Sequence, residues 1–389
     1  VLRFLLSVNV DYDPLHFIRC HAKDNDPLDS ETKVWRCVFE PDPNDPYNAT
    51  TNVVATSGGE CVCLVDCCSG KVMKRFKQSG EEFYTVAWTT VQMSPTHRTN
   101  LLAAAGRLKE IRLLHPDQLV CYAEMRGHTD EISCMIFHPS QPTVLFSGDS
   151  KAMVLVWDIG IPTAPEYHTK HSLLMKLIIP RPDLNPVLNL IFLPKYNALL
   201  AGCEDGVFSW TLTEFKKYDR PVRRESDIEL KIPTRKEPCF DGLSKVSENL
   251  VAVKCVDEGE IYILDYGQIV LRMMERNVAL TRPVPVDIVG QVKWQQTDEL
   301  YMNTSARQNI STITCGDDKG IIWLYDMKEY VRNVGRIMTP YQIQPVKVLE
   351  WPECSIQGNE SVSKIPVINT TDISSNGEFL VAVTDNNLT

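Results

Sequence analysis

The chain has 389 residues, 43% of them in the hydrophobic set and 23% charged, which is ordinary for a folded globular protein and far from a disordered one. Its formal net charge of −10 opposes direct nucleic-acid binding and suits a basic partner such as a histone tail. No apolar run reaches the roughly 18 residues of a membrane-spanning helix; Ser172 to Pro180 is too short and is cut by Lys176, and no stretch reads as a signal peptide.

In chain order, short apolar runs separated by Gly, Asp, Asn and Pro dominate, and helix-period patterns are scarce, which is the signature of an all-β chain. "HFIRCHAK" (16–23) reads as a strand without companions. After it come first runs "VWRCVFEP", "FYTVAW", "ISCMIFHP", "VLNLIFLP", "PCFDGLS" and "VGQVKWQQ". Each is followed by a second run, a Gly- or acid-rich turn, and a third run ending at Asp66, His115, Asp158, Thr211, Asp265 or Asp326. These endings recur at steps of 43 to 61 residues, and "LVWD" closes on Trp157-Asp158. Three strands plus an outer fourth at this period match the WD-type propeller blade. "VINTTDISSNGEFLVAVTDNN" supplies a seventh start that stops before its third strand. The expected fold is therefore all-β: a seven-bladed propeller over residues 14–389, its truncated last blade closed by the strand at 16–23, because closure removes exposed sheet edges. The chain reads as a piece of a longer protein, with residues 1–13 leading in.

Thirteen cysteines, an odd number without framework spacing, sit mostly in apolar runs (Cys37, Cys134, Cys203, Cys255) and read as buried thiols in a reducing compartment. In "CVCLVDCCSG" Cys61, Cys63 and Val65 share a strand face, but no nearby His or second CxxC completes a zinc set, so no metal is expected. Six Asn-x-Ser/Thr sequons (Asn48, Asn303, Asn309, Asn359, Asn369, Asn387) carry little weight without a secretory context.

The best-formed blade, the third, places His128 of "GH", Ser147 and Trp157 to form a buried network with an Asp in the second turn. Six residues before the Trp stands Lys151, and Asp149 lies two positions early, so this structural network (His128, Ser147, Asp149, Trp157) is expected to be incomplete or out of register. Other blades replace the Trp by Val65, Leu114, Leu264 or Tyr325, which keeps bulk and drops the indole donor. Phosphate loops, HExxH and GxSxG are absent and His128 has no nucleophile beside it, so neither catalysis nor a cofactor is expected.

Binding is expected at the rim, where first strands begin and second-to-third turns lie. Trp35, "GEEFY" with Glu81, Glu82, Phe83 and Tyr84, Phe240 beside Cys239, and the acidic turns Asp317-Asp318 and Glu204-Asp205 fall there. Aromatic faces beside carboxylates suit a methylated ammonium, although Trp35 and Phe83 also fit core positions. Insertions at 211–238 and 274–290 lengthen the connections into blades five and six, and "SARQNI" and "ECSIQGNESVSK" read as polar loops. The first insertion carries Lys216, Lys217, Arg220, Arg223, Arg224, Lys231, Arg235 and Lys236, suited either to an acidic partner or phosphate or simply to solvent.

Read in order, "PLHFIRCHAK", "VWRCVFEP", "VATSGGECVCLVDCCSG", "GEEFYTVAW", "LLAAAGRLKEIRLLH", "LVWDIGIP", "LLAGCEDG", "CGDDKGIIWLYD", "LEWP" and "AVTDNN" resemble the WD-repeat half of the leucine-rich-repeat and WD-repeat-containing, origin-recognition-complex-associated family. The resemblance covers about residues 14 to 387. It implies leucine-rich repeats upstream and a nuclear, non-enzymatic chromatin scaffold at heterochromatin, centromeres and telomeres. Its implied partners are origin recognition complex subunits, histone tails bearing repressive trimethyl-lysine, replication-licensing factors and histone methyltransferases. A ubiquitin-ligase substrate receptor would carry Arg two residues after Trp-Asp, where this chain has Gly160. A vesicle-coat or cytoskeletal propeller is the remaining alternative.

Overall fold

A computed structural model describes residues 12–389 except 27, 118–119, 164–167, 182–184, 236, 277–282, 334–340, 352–364 and 388. Lys236, most of residues 1–13, the "ECSIQGNESVSK" loop and the Asn359 sequon lie outside the described residues. The described strands form propeller blades built on four antiparallel strands; three of the blades carry a fifth, parallel strand, and one two-stranded hairpin accompanies them. Blade one runs from Val34–Pro41 through Thr50–Gly58 and Cys61–Asp66 to Lys71–Lys77. Blades two to six begin at Phe83–Ser94, Ile132–Phe137, Val187–Leu193, Phe240–Lys245 and Thr304–Arg307.

The expectation of seven blades is corrected to six. The last segment makes only a hairpin, Ile368–Ile373 with Leu380–Thr384, and two strands do not make a four-stranded blade. No described part of 12–22 pairs as a strand; Ile18 meets Thr389 only through a reciprocal pair of backbone hydrogen bonds of 3.0 and 2.9 Å. The hairpin lies between blades six and one, where Thr371 Oγ1 donates to Thr314 Oγ1 at 2.9 Å and Asn369 Nδ2 to the Val34 carbonyl at 2.9 Å.

Two further assignments change. Ile288–Lys293, expected to open blade six, is the outer strand of blade five, and Thr304–Arg307, expected as a polar loop, opens blade six. The insertions at 211–238 and 274–290, and the segment between Ile322–Asp326 and Lys347–Leu349, fall inside blades, between third and outer strands, and each returns a short parallel strand to the preceding blade. Val222–Glu225 joins blade three, Val284–Pro285 blade four and Tyr341–Ile343 blade five.

The cores lie between neighbouring sheets. Strands buried on both faces carry apolar runs such as Ala198–Cys203, and Leu250–Cys255 is apolar except for the buried Lys254, because each sheet is covered on both sides. Between blades three and four, Phe146 stacks on Phe192 at 5.6 Å, and His138 packs against Phe192 at 4.2 Å and Phe215 at 5.2 Å. His138 Nδ1 accepts the amides of Ser140 and Gln141 at 3.1 and 3.0 Å, so it must be unprotonated there. Burial pushes this imidazole down to about 4 from 6.5. The unfolded chain therefore binds the extra proton between those values, and stability falls as pH drops through that window. Between pH 7 and pH 5 the contribution is expected to be about 1–2 kcal/mol. Urea unfolding of His138→Gln beside wild type measures it: the variant should lose that part of the acid sensitivity, and an unchanged pH slope would refute the assignment.

Candidate functional site

Blade three shows what its expected network becomes. His128 Nε2 lies 2.7 Å from Ser147 Oγ and Nδ1 lies 2.8 Å from Asp149 Oδ2, while Trp157 Nε1 donates to Ser147 Oγ at 3.0 Å. Asp149 Oδ1 also accepts the amides of Lys151 and Met153 at 3.0 and 3.1 Å. The network is complete and shifted in register, the second of the two outcomes the residues allowed. The aspartate sits at the head of the tight turn rather than six residues before the Trp, and Lys151 faces solvent, paired with Asp130 at 2.6 Å. Blade six repeats the device: Asp317 Oδ1 accepts the amides of Lys319 and Ile321 at 2.9 Å, and Oδ2 accepts Trp323 Nε1 at 2.9 Å. Laying "GDSK" over "GDDK" was the sequence signal that identifies Asp149.

Blade one carries a third version, unseen in the sequence. Cys20, His21 and Cys63 place their ligand atoms within 4.8 Å of one another, all buried. The strap at 20–21 thus supplies the histidine that the local sequence around Cys63 lacks. Its ring nitrogens are already engaged, however: Nδ1 lies 2.9 Å from the Gly58 carbonyl and Nε2 lies 2.8 Å from Thr56 Oγ1. That geometry reproduces His128 on Ser147, with a backbone carbonyl in place of Asp149. A neutral His donating from Nδ1 and accepting at Nε2 is satisfied without an ion.

The expected rim residues divide. Glu81, Phe83, Phe240 and Asp317 are buried, which removes Glu81, Phe240 and Asp317 as exposed contacts and gives Phe83 the core position its sequence also allowed. Glu81 Oε2 accepts Arg112 Nη1 at 2.6 Å and Oε1 accepts the Leu108 amide at 2.8 Å; the two side chains are 0% and 3% exposed. Burial pushes the Glu81 carboxyl up, and the arginine opposes that shift. Phe83 fills the core between blades one and two with Val62 and Leu102.

Trp35, Glu82 and Tyr84 remain half-buried at the mouth formed by blades one to three, and Asp318 is likewise partly exposed on blade six. The Trp35 and Tyr84 rings meet edge to face, 5.9 Å apart at 83°. Trp35 Nε1 donates to Glu82 Oε1 at 3.3 Å, and Tyr84 OH donates to Glu131 Oε2 at 3.2 Å. Burial, with Glu131 beside it, pushes the Tyr84 phenol up, so it stays a neutral donor. Lys33 Nζ lies 5.4 Å from the Trp35 ring centroid, and Arg107 pairs with Glu82. The arrangement offers two ring faces and two carboxylates, already visited by one ammonium of the chain itself. Glu131 was not expected; it lies immediately before the first strand of blade three, where only register shows that it faces Tyr84.

The chain matches the family model described as "Leucine-rich repeat and WD repeat-containing protein 1, WD domain" over residues 7–389. It is 34% identical over 392 residues to the protein of that name from Xenopus laevis, covering 97% of this chain and 52% of that one. The Homo sapiens relative is 34% identical over 389 residues, with 97% and 57% covered. The chain thus spans about half the length of these relatives. Among solved structures, a chain of the Chaetomium thermophilum polycomb repressive complex 2 superposes with a TM-score of 0.72 at 12% identity over 98% of each chain. U3-55K does so with a TM-score of 0.58 at 14% identity over 90% of each. At those identities the likeness speaks to the propeller fold alone, whereas the family match and the full-length relatives concern the sequence itself: this chain belongs to the leucine-rich repeat and WD repeat-containing protein 1 family, of which it carries the WD-repeat domain.

Proposed function

We propose that this domain is a non-enzymatic chromatin scaffold that engages the origin recognition complex and repressive trimethyl-lysine marks on histone tails, in support of replication initiation and heterochromatin organisation in the nucleus. The observation that supports it is the mouth of blades one to three, where Trp35 and Tyr84 stand edge to face between Glu82 and Glu131. A quaternary ammonium has no proton to donate, so ring faces attract it by their quadrupole and carboxylates by charge, while water is a poorer competitor than for Lys. The net charge of −10 draws a basic tail toward that mouth. Lys33 would give way to the incoming side chain.

Calorimetry with trimethylated and unmodified histone peptides tests the reading. The trimethylated peptide should bind tighter, and Trp35→Ala or Tyr84→Ala should each weaken it about tenfold, the loss of roughly 1–2 kcal/mol of cation–π attraction. Equal affinity for both peptides would remove the reader part, and failure to retain origin recognition complex subunits from nuclear extract would remove the scaffold part.

A further inference from the structure

The insertion at 211–238 is mounted rather than loose. At one end Phe215 packs into the core between blades three and four, 5.2 Å from His138 and 5.9 Å from Phe146. At the other, Val222–Glu225 pairs in parallel with Ser172–Ile178 as the fifth and outermost strand of blade three. Arg224 Nη2 then clamps the return with Asp227 at 2.9 and 2.7 Å, and its Nη1 donates to the Thr211 carbonyl at 2.7 Å. A loop that serves only solubility needs none of these anchors. Between them residues 216–220 are all exposed, and Tyr218 shows 54% of its surface.

The charges on this edge are unbalanced. Lys216 has Glu214 at 2.7 Å, but Lys217, Arg220 and Arg223, with Lys170 and Lys176 of the neighbouring strand region, have no carboxylate within ion-pair reach among the described residues. Lys176 and Arg223 are direct neighbours in the register, a like-charge juxtaposition that a sheet ordinarily disfavours. As the terminal strand of its sheet, Val222–Glu225 also has an outer row of backbone donors and acceptors that no described strand pairs.

We infer that this edge of blade three docks an extended acidic peptide of a partner protein, which adds as a sixth strand beside Val222–Glu225 and neutralises Lys176, Lys217, Arg220 and Arg223. Main-chain hydrogen bonds supply the affinity in such strand addition and the charges select the sequence. The open ladder favours a peptide over a nucleic acid, which has no use for it. This site is remote from Trp35 in sequence and stands on a different blade, so it does not rest on the peptide reading above.

Fluorescence anisotropy with a labelled ten-residue peptide of alternating Glu and Val tests it. Three comparison probes are a Lys/Val peptide, an acidic peptide of equal charge with Pro at alternate positions, and a short DNA duplex. The expected result is binding of the Glu/Val peptide alone, weakened about tenfold or more in Arg220→Glu/Arg223→Glu, weakened by added salt and unchanged in Trp35→Ala. No binding by wild type, equal binding of the Pro-containing peptide, tighter binding of the duplex, or an unaffected double variant would each overturn it. Because both substituted side chains are surface groups, circular dichroism of the double variant verifies that it folds; should it not, Lys217→Glu, outside any strand, reads the same electrostatic loss.

Discussion

Asp241→Ala is expected to cost about 3–5 kcal/mol, a large share of the 5–15 kcal/mol that holds a typical domain folded. Asp241 and Lys254 face each other on adjacent strands of blade five with both side chains 0% exposed, Nζ 3.0 Å from Oδ1. The ammonium also donates to the Met302 carbonyl and lies 4.3 Å from the Trp294 ring centroid, while Asp241 Oδ2 accepts the Met302 amide at 3.1 Å. Removing the carboxylate leaves a buried cation with a carbonyl and a ring but no counter-charge. Lys254→Met should cost less, because burial already pushes the Asp241 carboxyl up and it can take a proton. The sign follows from linkage: an acid whose folded value is raised binds more protons folded than unfolded, so the Lys254→Met deficit should shrink as pH falls and grow as it rises. The double change Asp241→Leu/Lys254→Met should recover most of the loss, since a matched apolar pair needs no compensation. Urea midpoints of the three variants check this; an Asp241→Ala protein within about 1 kcal/mol of wild type would mean that water reaches the pair.

Trp157→Ala is the second large effect, about 3–5 kcal/mol. The indole is 2% exposed and packs among Leu145, Leu155 and Met135 between blades two and three. Gly127 lets it lie this close: a Cβ there would come within 2.7 Å of Trp157 Cη2. Trp157→Phe separates bulk from hydrogen bond. It keeps most of the packing and removes the donor to Ser147, so about 1–2 kcal/mol is expected. Asp149→Ala should cost about 2–3 kcal/mol, because it strands His128 Nδ1 and the amides of Lys151 and Met153 together. Since His128 and Asp149 share that network, His128→Ala and Asp149→Ala should be less than additive in a double-mutant cycle. Strict additivity would show that the contacts act independently.

Several features were legible in the residues. The alternation of apolar runs and turns located the first strands of five blades, and a hydrophobic strand is recognised wherever both faces are covered. Counting back six residues from Trp157 lands on Lys151, but Asp149, two positions earlier, makes the contact to His128, so the register is shifted. The constraint acts instead on the Asp, whose carboxylate must reach two amides of its own turn. The inward turn of Glu81 and Phe83 has a related cause, whereas Phe240 and its neighbour Asp241 are both buried and Asp317 lies in a turn. At the start of blade two buried and half-exposed side chains alternate, so Glu82 and Tyr84 look outward while Glu81 and Phe83 turn in. Sequence shows the aromatic and the acid but not the parity.

The blade count failed where local pattern and closure part. "VINTTDISSNGEFLVAVTDNN" has two true strands, and a period argument promotes them to a blade; the structure leaves them as a hairpin. What the residues determine alone is therefore what short-range physics controls: strand propensity, the Gly- and Asp-dependent turns, burial of Cys and β-branched runs, and membership of a WD-repeat family. What only the tertiary structure decides is which distant atoms meet. His21 reaches Thr56, Glu131 reaches Tyr84, and three connections between third and outer strands return a strand to the blade before their own. Such contacts depend on the twist and radius of the whole ring, which no window of sequence contains.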